Sequence, residues 1–255
     1  MLVSNIEQWL DRLHVAAQGA GLRVEDRRKA IEVAAMLVEI ERALRRFARR
    51  SPLLLVDAAA GKSHVGLLSA KLILEPMGRS AAVITIERDP RRTTQSRRAV
   101  ERLQTAIDIE CRTADVADAG AWPKRPSIVA ALHACGQAAD AIIERTIASE
   151  AQMLLLVPCC TSSAVAAASR AEEEAEHMGI PRHAAVRRRF IQAFVDAERT
   201  WRLEAAGYET EVVEFVGATV TPHNLLWRSR RVKEATRMAA AQRALEALVR
   251  NSGTK

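Results

Sequence analysis

Aromatic residues make up only 4 % of this 255-residue chain, with a single tyrosine. Stacking platforms for unpaired bases are therefore scarce, which argues against a protein that reads single-stranded nucleic acid base by base. Cysteine is equally sparse. Cys159 and Cys160 are adjacent, Cys111 and Cys135 stand apart, and no framework of spaced pairs is evident. Reduced thiols are expected, and without a C-x-x-C pair no metal site is expected from His133, Cys135, Cys159 and Cys160. No stretch approaches the ~20 apolar residues of a membrane helix, and the amino terminus carries acids and Trp9 where a secretory signal has a charged start and an apolar block. The expected location is cytoplasmic. The two best-known nucleotide fingerprints are also missing: there is no G-x-G-x-x-G, and Gly61-Lys62-Ser63 imitates the end of a Walker loop whose first glycine is replaced by Val56 and whose loop carries Asp57. An acid inside a phosphate cradle repels the phosphates it must hold.

What the chain does have is a strand, turn and helix in succession. Leu53 to Asp57 reads as an apolar strand ending in an acid, Ala58 to Ser63 as a small-residue turn, and Val65 to Leu74 as the helix behind it. Small side chains leave backbone N–H groups exposed at such a turn, beside the positive end of a helix, where a carboxylate or phosphate is held. Strands and helices then alternate: a strand over Ala81 to Glu87, a helix from Pro90 to Leu103, and strands over Ile107 to Cys111, Ile128 to Leu132 and Met153 to Val157. Two late strands, Thr210 to Val216 and Asn224 to Arg228, read as an antiparallel pair. The fold class is α/β, a doubly wound Rossmann-like sheet, mostly parallel. Ligands of such sheets bind at the carboxyl ends of the strands. Glu87 there can accept both hydroxyls of a ribose, and Asp115 can reach an adenine amine. Both are expected at exposed strand ends, as is Asp57.

Around this frame, 49 % hydrophobic content is ample for one core. Residues 1–50 are read as a helical cap, 51–231 as the main domain and 232–255 as a terminal helix and tail. Ser4 and Glu7 have the spacing of a capping box, and Ile6, Trp9, Leu10 and Leu13 repeat at helical spacing. After a break at Gly19 and Gly21 a long second helix carries Ala30, Val33, Leu37, Leu44 and Phe47. The two helices are expected to pack beside the sheet or to form a dimerisation element.

Ala131-Leu132-His133-Ala134-Cys135-Gly136 with Asp140, Val157-Pro158-Cys159-Cys160, Glu198-Arg199-Thr200-Trp201-Arg202-Leu203-Glu204 and Thr221-Pro222-His223-Asn224-Leu225-Leu226 together resemble the signatures of a branch of the class I S-adenosylmethionine-dependent methyltransferases. That branch contains eukaryotic methyltransferase-like proteins and, more distantly, tRNA acceptor-stem 2′-O-methyltransferases. The resemblance covers roughly residues 50 to 230. It implies S-adenosylmethionine as cofactor, lined by Asp57, Ala59, Gly61, Glu87, Asp115, Leu132 and His133. It also implies that His133, Cys135, Pro158 and Cys159 face the methyl-transfer position. One position departs from the pattern: the family has glycine where Ala59 stands, and the added methyl group crowds the turn or meets a φ that alanine tolerates poorly.

The net charge is +7 and the basic residues are clustered. Arg45, Arg46, Arg49 and Arg50 close the second helix, where cations complement its carboxyl end. Arg88, Arg91, Arg92, Arg97 and Arg98 lie by the cofactor edge, Arg182, Arg187, Arg188 and Arg189 precede a late helix, and Arg228, Arg230, Arg231 and Lys233 follow the last strand. Arginine donates bidentately to phosphate, so the favoured acceptor is a structured RNA gripped by its backbone, with His133 the candidate general base. Cys135 or Cys159 as a nucleophile, a protein or small-molecule acceptor, and a catalytically silent domain that binds a partner remain as alternatives. His64, His177, His183 and His223 show no constellation and are assigned to surface or structure.

Overall fold

The most apolar strands occupy the middle of the sheet. The computed structural model describes residues 2–15, 21–158, 160, 162–217, 219–221 and 224–250. Seven strands are ordered β3-β2-β1-β4-β5-β7-β6, with β1 Leu53–Ala58, β2 Ala81–Glu87, β3 Asp108–Thr113, β4 Ile128–Leu132, β5 Met153–Val157, β6 Tyr208–Glu214 and β7 Leu225–Arg231. Every residue of β4 and β5 is buried, as expected of parallel strands covered on both faces. The first five strands are parallel, and β7 runs antiparallel to both β5 and β6. Strand order reverses between β1 and β4, which sets the binding crevice at their carboxyl ends.

The predicted bounds of β2, β4 and β5 coincide with the observed ones, whereas β6 begins at Tyr208 and β7 runs on to Arg231. Pairing explains the shift: Tyr208 to Glu214 match Arg231 to Leu225 residue for residue, so the ladder continues into polar sequence that carries no apolar alternation. The expected helix over Val65 to Leu74 is instead α3 His64–Ser69 followed by a π-helical turn, Ala70–Leu74, and the short α4 Glu75–Met77. Pro76 lacks the N–H that would bond Leu72, and the chain widens just before it.

Two layers of helix cover the sheet. On one side lie α1 Val3–Leu10 with a π-helical turn Asp11–Val15, and α2 Val24–Leu44. Their Ile6, Leu10, Val33, Leu37 and Ile40 share a core with Leu53, Leu55, Leu67, Leu68, Ile128 and Leu155. The expected packing beside the sheet is thus observed. The capping box is not: α1 begins at Val3 with no side-chain cap, so Ser4 and Glu7 lie within the helix. α5 Pro90–Leu103 lies on the same side as α1 and α2, with Ala99 and Leu103 in the shared core. On the other side α6 Gln137–Ala148 and α8 Ala184–Ala205 bury Ile142, Ile143 and Leu203, and α7 Ala166–His177 and α9 Ala235–Arg250 pack on α8. Gly19, Cys159, Pro222, His223 and the 251–255 tail lie outside the described residues.

The late signature residues turn out to be a scaffold. Arg199 is almost fully buried and donates to both oxygens of Asp140, at 3.0 and 3.1 Å, and to the Gly136 carbonyl at 3.2 Å. Glu198 takes Arg170 at 2.7 Å, Glu204 accepts from the Thr210 N–H at 2.8 Å, and the Trp227 indole N–H donates to Thr200 at 3.0 Å. These bonds tie α8 to α6 and to the loop after β4, which holds that loop in place at the edge of the sheet.

Candidate active site

The turn after β1 is left-handed at three of its residues: Ala59 has φ +54°, Gly61 +59° and Ser63 +58°. Glycine adopts this conformation freely, while alanine and serine do so at a cost of roughly 1 kcal/mol each. Ala59 therefore does meet the unfavourable φ that its sequence position suggested. Ser63 meets it too, a strain the sequence reading missed. The turn is held in spite of that strain by the Ala60 N–H on the Ile86 carbonyl at 3.0 Å, by Ser63 N–H on the Ala60 carbonyl at 2.7 Å, and by the Ser63 hydroxyl on Ser96 at 2.9 Å. Strain retained by a tight local network marks functional turns.

Asp57 and Glu87 do not sit at exposed strand ends. They are 2 % and 6 % exposed, because the turn and α3 fold over the strands that carry them. Asp57 accepts from the Gly66 N–H at 2.8 Å, and a side chain at position 66 would lie 3.1 Å from Asp57 and Thr85, so α3 approaches β1 closely only because Gly66 lacks a Cβ. Burial pushes the Asp57 carboxyl up to about 7, against the opposing pull of the Gly66 N–H and Lys29, with Glu87 adding to the rise. Glu87 accepts from the Gly61 N–H at 2.7 Å through one oxygen and from the Asp89 N–H at 2.9 Å through the other. Each carboxylate oxygen keeps a second lone pair. Nothing within 4 Å would meet a Cβ at Gly61, so the space in front of the turn is open. Asp115, after β3, is exposed and uses one oxygen on the Ala117 N–H at 2.9 Å. Leu132 is buried at the end of β4.

His133 follows β4 with φ +66°, and its Nε2 is 2.7 Å from Glu32 Oε2. Glu32 is buried on α2, and the Lys29 ammonium stands 3.8 Å from the same oxygen. Burial lowers the Lys29 pKa, while Glu32 and Asp57 hold it up. Thus α2 closes over the carboxyl edge and adds two charged groups that the motifs gave no sign of. His64, assigned to surface or structure from sequence, opens α3 and meets His14 edge-on with ring centroids 4.6 Å apart. Burial, followed by Lys62 and Arg102, lowers His14 to about 4, and its Nε2 has no hydrogen-bond partner among the described residues. Burial also drives His64 well below its ordinary value, with His14, Lys29 and Lys62 acting in the same direction.

The cysteine expectation needs correction. Cys135 is disulfide-bonded, so its sulfur carries no thiol proton and cannot serve as nucleophile in this state. Pro158 ends β5 and is buried, and Cys111 is a free thiol raised by burial. Cys159 falls outside the described residues.

A profile of the methyltransferase-domain family matches residues 28–166, more than half of the chain. The chain belongs to that family. It is a methyltransferase with S-adenosylmethionine as cofactor. The matched span begins inside α2 and ends at the start of α7, so it takes in Lys29, Glu32, the turn, Glu87, Asp115 and His133. Among solved structures, magnesium protoporphyrin IX methyltransferase from Synechocystis PCC 6803 with bound SAH is similar at 11 % identity, over 89 % of this chain and 99 % of that one, with TM-score 0.50. A tRNA (uracil-54, C5)-methyltransferase from Pyrococcus abyssi is similar at 12 % identity over 79 % of this chain and 38 % of that one, TM-score 0.43. A methyltransferase from Pyrococcus furiosus is similar at 13 % identity, over 77 % and 82 %, TM-score 0.43. A comparison with curated proteins returns no significant match. The first of these likenesses bears on the fold: the seven-stranded sheet with its antiparallel β7 is the class I methyltransferase architecture.

Proposed function

We propose that this enzyme methylates a structured RNA, with the cofactor held at the carboxyl edge of β1, β2 and β4. The observation that carries the cofactor site is the Glu87 carboxylate, buried 2.7 Å from the Gly61 N–H with lone pairs to spare beside an open, left-handed turn. Ribose hydroxyls fit Glu87, and the adenine amine fits the unspent oxygen of Asp115. The methionine end fits the turn, where Lys29, Lys62 and the orphaned Nε2 of His14 supply positive charge and a polar contact for a carboxylate. Asp57 acts through the turn, since its carboxyl is spent on holding α3 against β1.

Bound at this edge, the sulfonium cofactor supplies an activated methyl group. The protein's own task is orientation, which is worth ~7 to 11 kcal/mol when the acceptor atom is placed in line with that methyl. His133 is the base for an acceptor that must lose a proton. Glu32 Oε2, 2.7 Å from its Nε2, orients the ring.

RNA is favoured as acceptor by the arginines whose charge remains available. Arg228, Arg230 and Arg231 are committed to Glu39, Glu209 and Glu150. Arg88 and Arg91 at the cofactor edge, and Arg188 and Arg189 at the start of α8, have no ion pair among the described residues. The test is transfer of tritiated methyl groups from labelled cofactor to total RNA and, in parallel, to total protein. Label in RNA that disappears with His133→Ala, at unchanged SAH affinity, supports the reading. Label confined to protein overturns RNA as acceptor.

A further inference from the structure

We propose that the cavity between α7 and α8 is a subsite for a phosphate group of the acceptor. The proposal rests on the reading of the chain as an RNA methyltransferase and assigns part of that RNA to a definite place. The cavity measures about 350 Å³ and is lined by Ser162, Ser163, Ser169, Arg182, Arg187 and Arg188, with Glu172 as its acid. Arg187 is 9 % exposed. One of its nitrogens donates to the Glu172 carbonyl at 3.3 Å and lies 3.6 Å from the Glu172 carboxylate. A guanidinium has five N–H donors, and the rest of these find no partner among the described residues. Those donors are reached by solvent, so they are available to a ligand that enters the cavity. Arg182 spends itself on Glu176 at 2.9 Å, while Arg188 is exposed and has no ion pair among the described residues. After Glu172 is counted, the lining keeps a positive excess. Two planar forks and three hydroxyls suit the several oxygens of a phosphate, which accept bidentately from arginine.

Position supports the same assignment. The rim residue Ser162 is packed against the loop that follows His133: a Cβ at Gly136 would lie 2.9 Å from that of Ser162, and Gln137 donates to the Ala164 carbonyl at 3.0 Å. That loop is in turn clamped by buried Arg199. A phosphate held in the cavity is therefore adjacent to the methyl-transfer edge.

The test titrates the protein, saturated with SAH, with inorganic pyrophosphate and separately with a short RNA hairpin, for wild type, Arg187→Gln, Arg188→Ala and the distant control Arg243→Ala. The expected result is pyrophosphate binding weakened about tenfold or more by either cavity substitution, unchanged in the control, and a hairpin salt slope reduced by about one in Arg188→Ala. Arg188 is exposed, so its variant keeps the test valid if Arg187→Gln fails to fold. No pyrophosphate binding to the wild type, or equal binding to wild type and Arg188→Ala, overturns the subsite. Loss of pyrophosphate binding with the hairpin unaffected keeps the phosphate subsite and assigns it to a small phosphorylated acceptor instead of RNA. Loss of SAH binding in the same samples reports on the cofactor reading alone.

Discussion

Two glutamates on α2, seven residues and about 10 Å apart along the helix, meet different parts of the sheet and do different things there. Glu39, beside β7, receives two nitrogens of Arg228 at 2.7 and 2.8 Å and one of Arg42 at 3.0 Å. Its charge is cancelled by groups that stay ionised at any working pH. Glu32, towards the carboxyl end, receives the His133 ring at 2.7 Å and stands 3.8 Å from Lys29, whose pKa burial has already lowered. Its partners are groups that can gain or lose a proton, and one of them sits on strained backbone. Electrostatics around Glu39 is consumed in holding the fold; at the carboxyl end it remains available for chemistry.

The comparison breaks most sharply at Glu39. Glu39→Ala leaves Arg228 half-buried without its carboxylate and is expected to cost about 3 kcal/mol of stability, read by denaturant unfolding, with SAH affinity unchanged in the fraction that folds. A stability loss equal to that of an exposed pair would make the surroundings of Glu39 as loosely organised as any surface.

Asp57 gives the next effect, and it depends on pH. Its carboxyl is raised to about 7 from an ordinary value near 3.8, so the folded protein binds a proton that the unfolded chain releases between those values. That group's contribution to stability is full below about pH 4 and falls as pH rises towards 7. Asp57→Asn keeps an acceptor for the Gly66 N–H and removes the penalty. Its stability relative to wild type should climb across that window by roughly 2 kcal/mol or more, since a tenfold change in proton affinity is worth about 1.4 kcal/mol. A difference that is flat with pH would mean that Asp57 is ionised in the folded state.

Glu32→Gln sharpens the contrast from the other side. The amide preserves a hydrogen bond to His133 and removes the negative charge beside it. Methyl transfer should fall about tenfold or more, with SAH affinity retained. Unchanged transfer would reduce Glu32 to a structural partner.

Ala59→Gly has the smallest effect. Relief of the left-handed φ should stabilise by up to about 1 kcal/mol, offset in part by the freer unfolded chain, and bring SAH affinity up or leave it equal. A loss of affinity would show that the alanine methyl group contacts the cofactor.

Much of this was legible in the sequence because strands and helices alternate with distinct periods and each strand ends on a polar residue. β2, β4, β5 and the edge position of Glu87 follow from that alone. The burial of Asp57 and Glu87 was not, since it depends on the turn and α3 folding back over the strand ends. Glu32 and Lys29 reach the site from a helix about 100 residues away from His133; the usable signal was an acid set within the apolar stripe of α2, beside Val33 and Met36. The bonded state of Cys135 has no counterpart in the cysteine spacing of the sequence.

The most direct test of the central claim is calorimetric titration of the protein with S-adenosylmethionine and SAH, wild type beside Glu87→Ala. The account predicts micromolar binding to the wild type and its loss in a variant that remains folded. Equal affinity in the two proteins, or no binding to the wild type, would contradict the assignment of the carboxyl edge as the cofactor site.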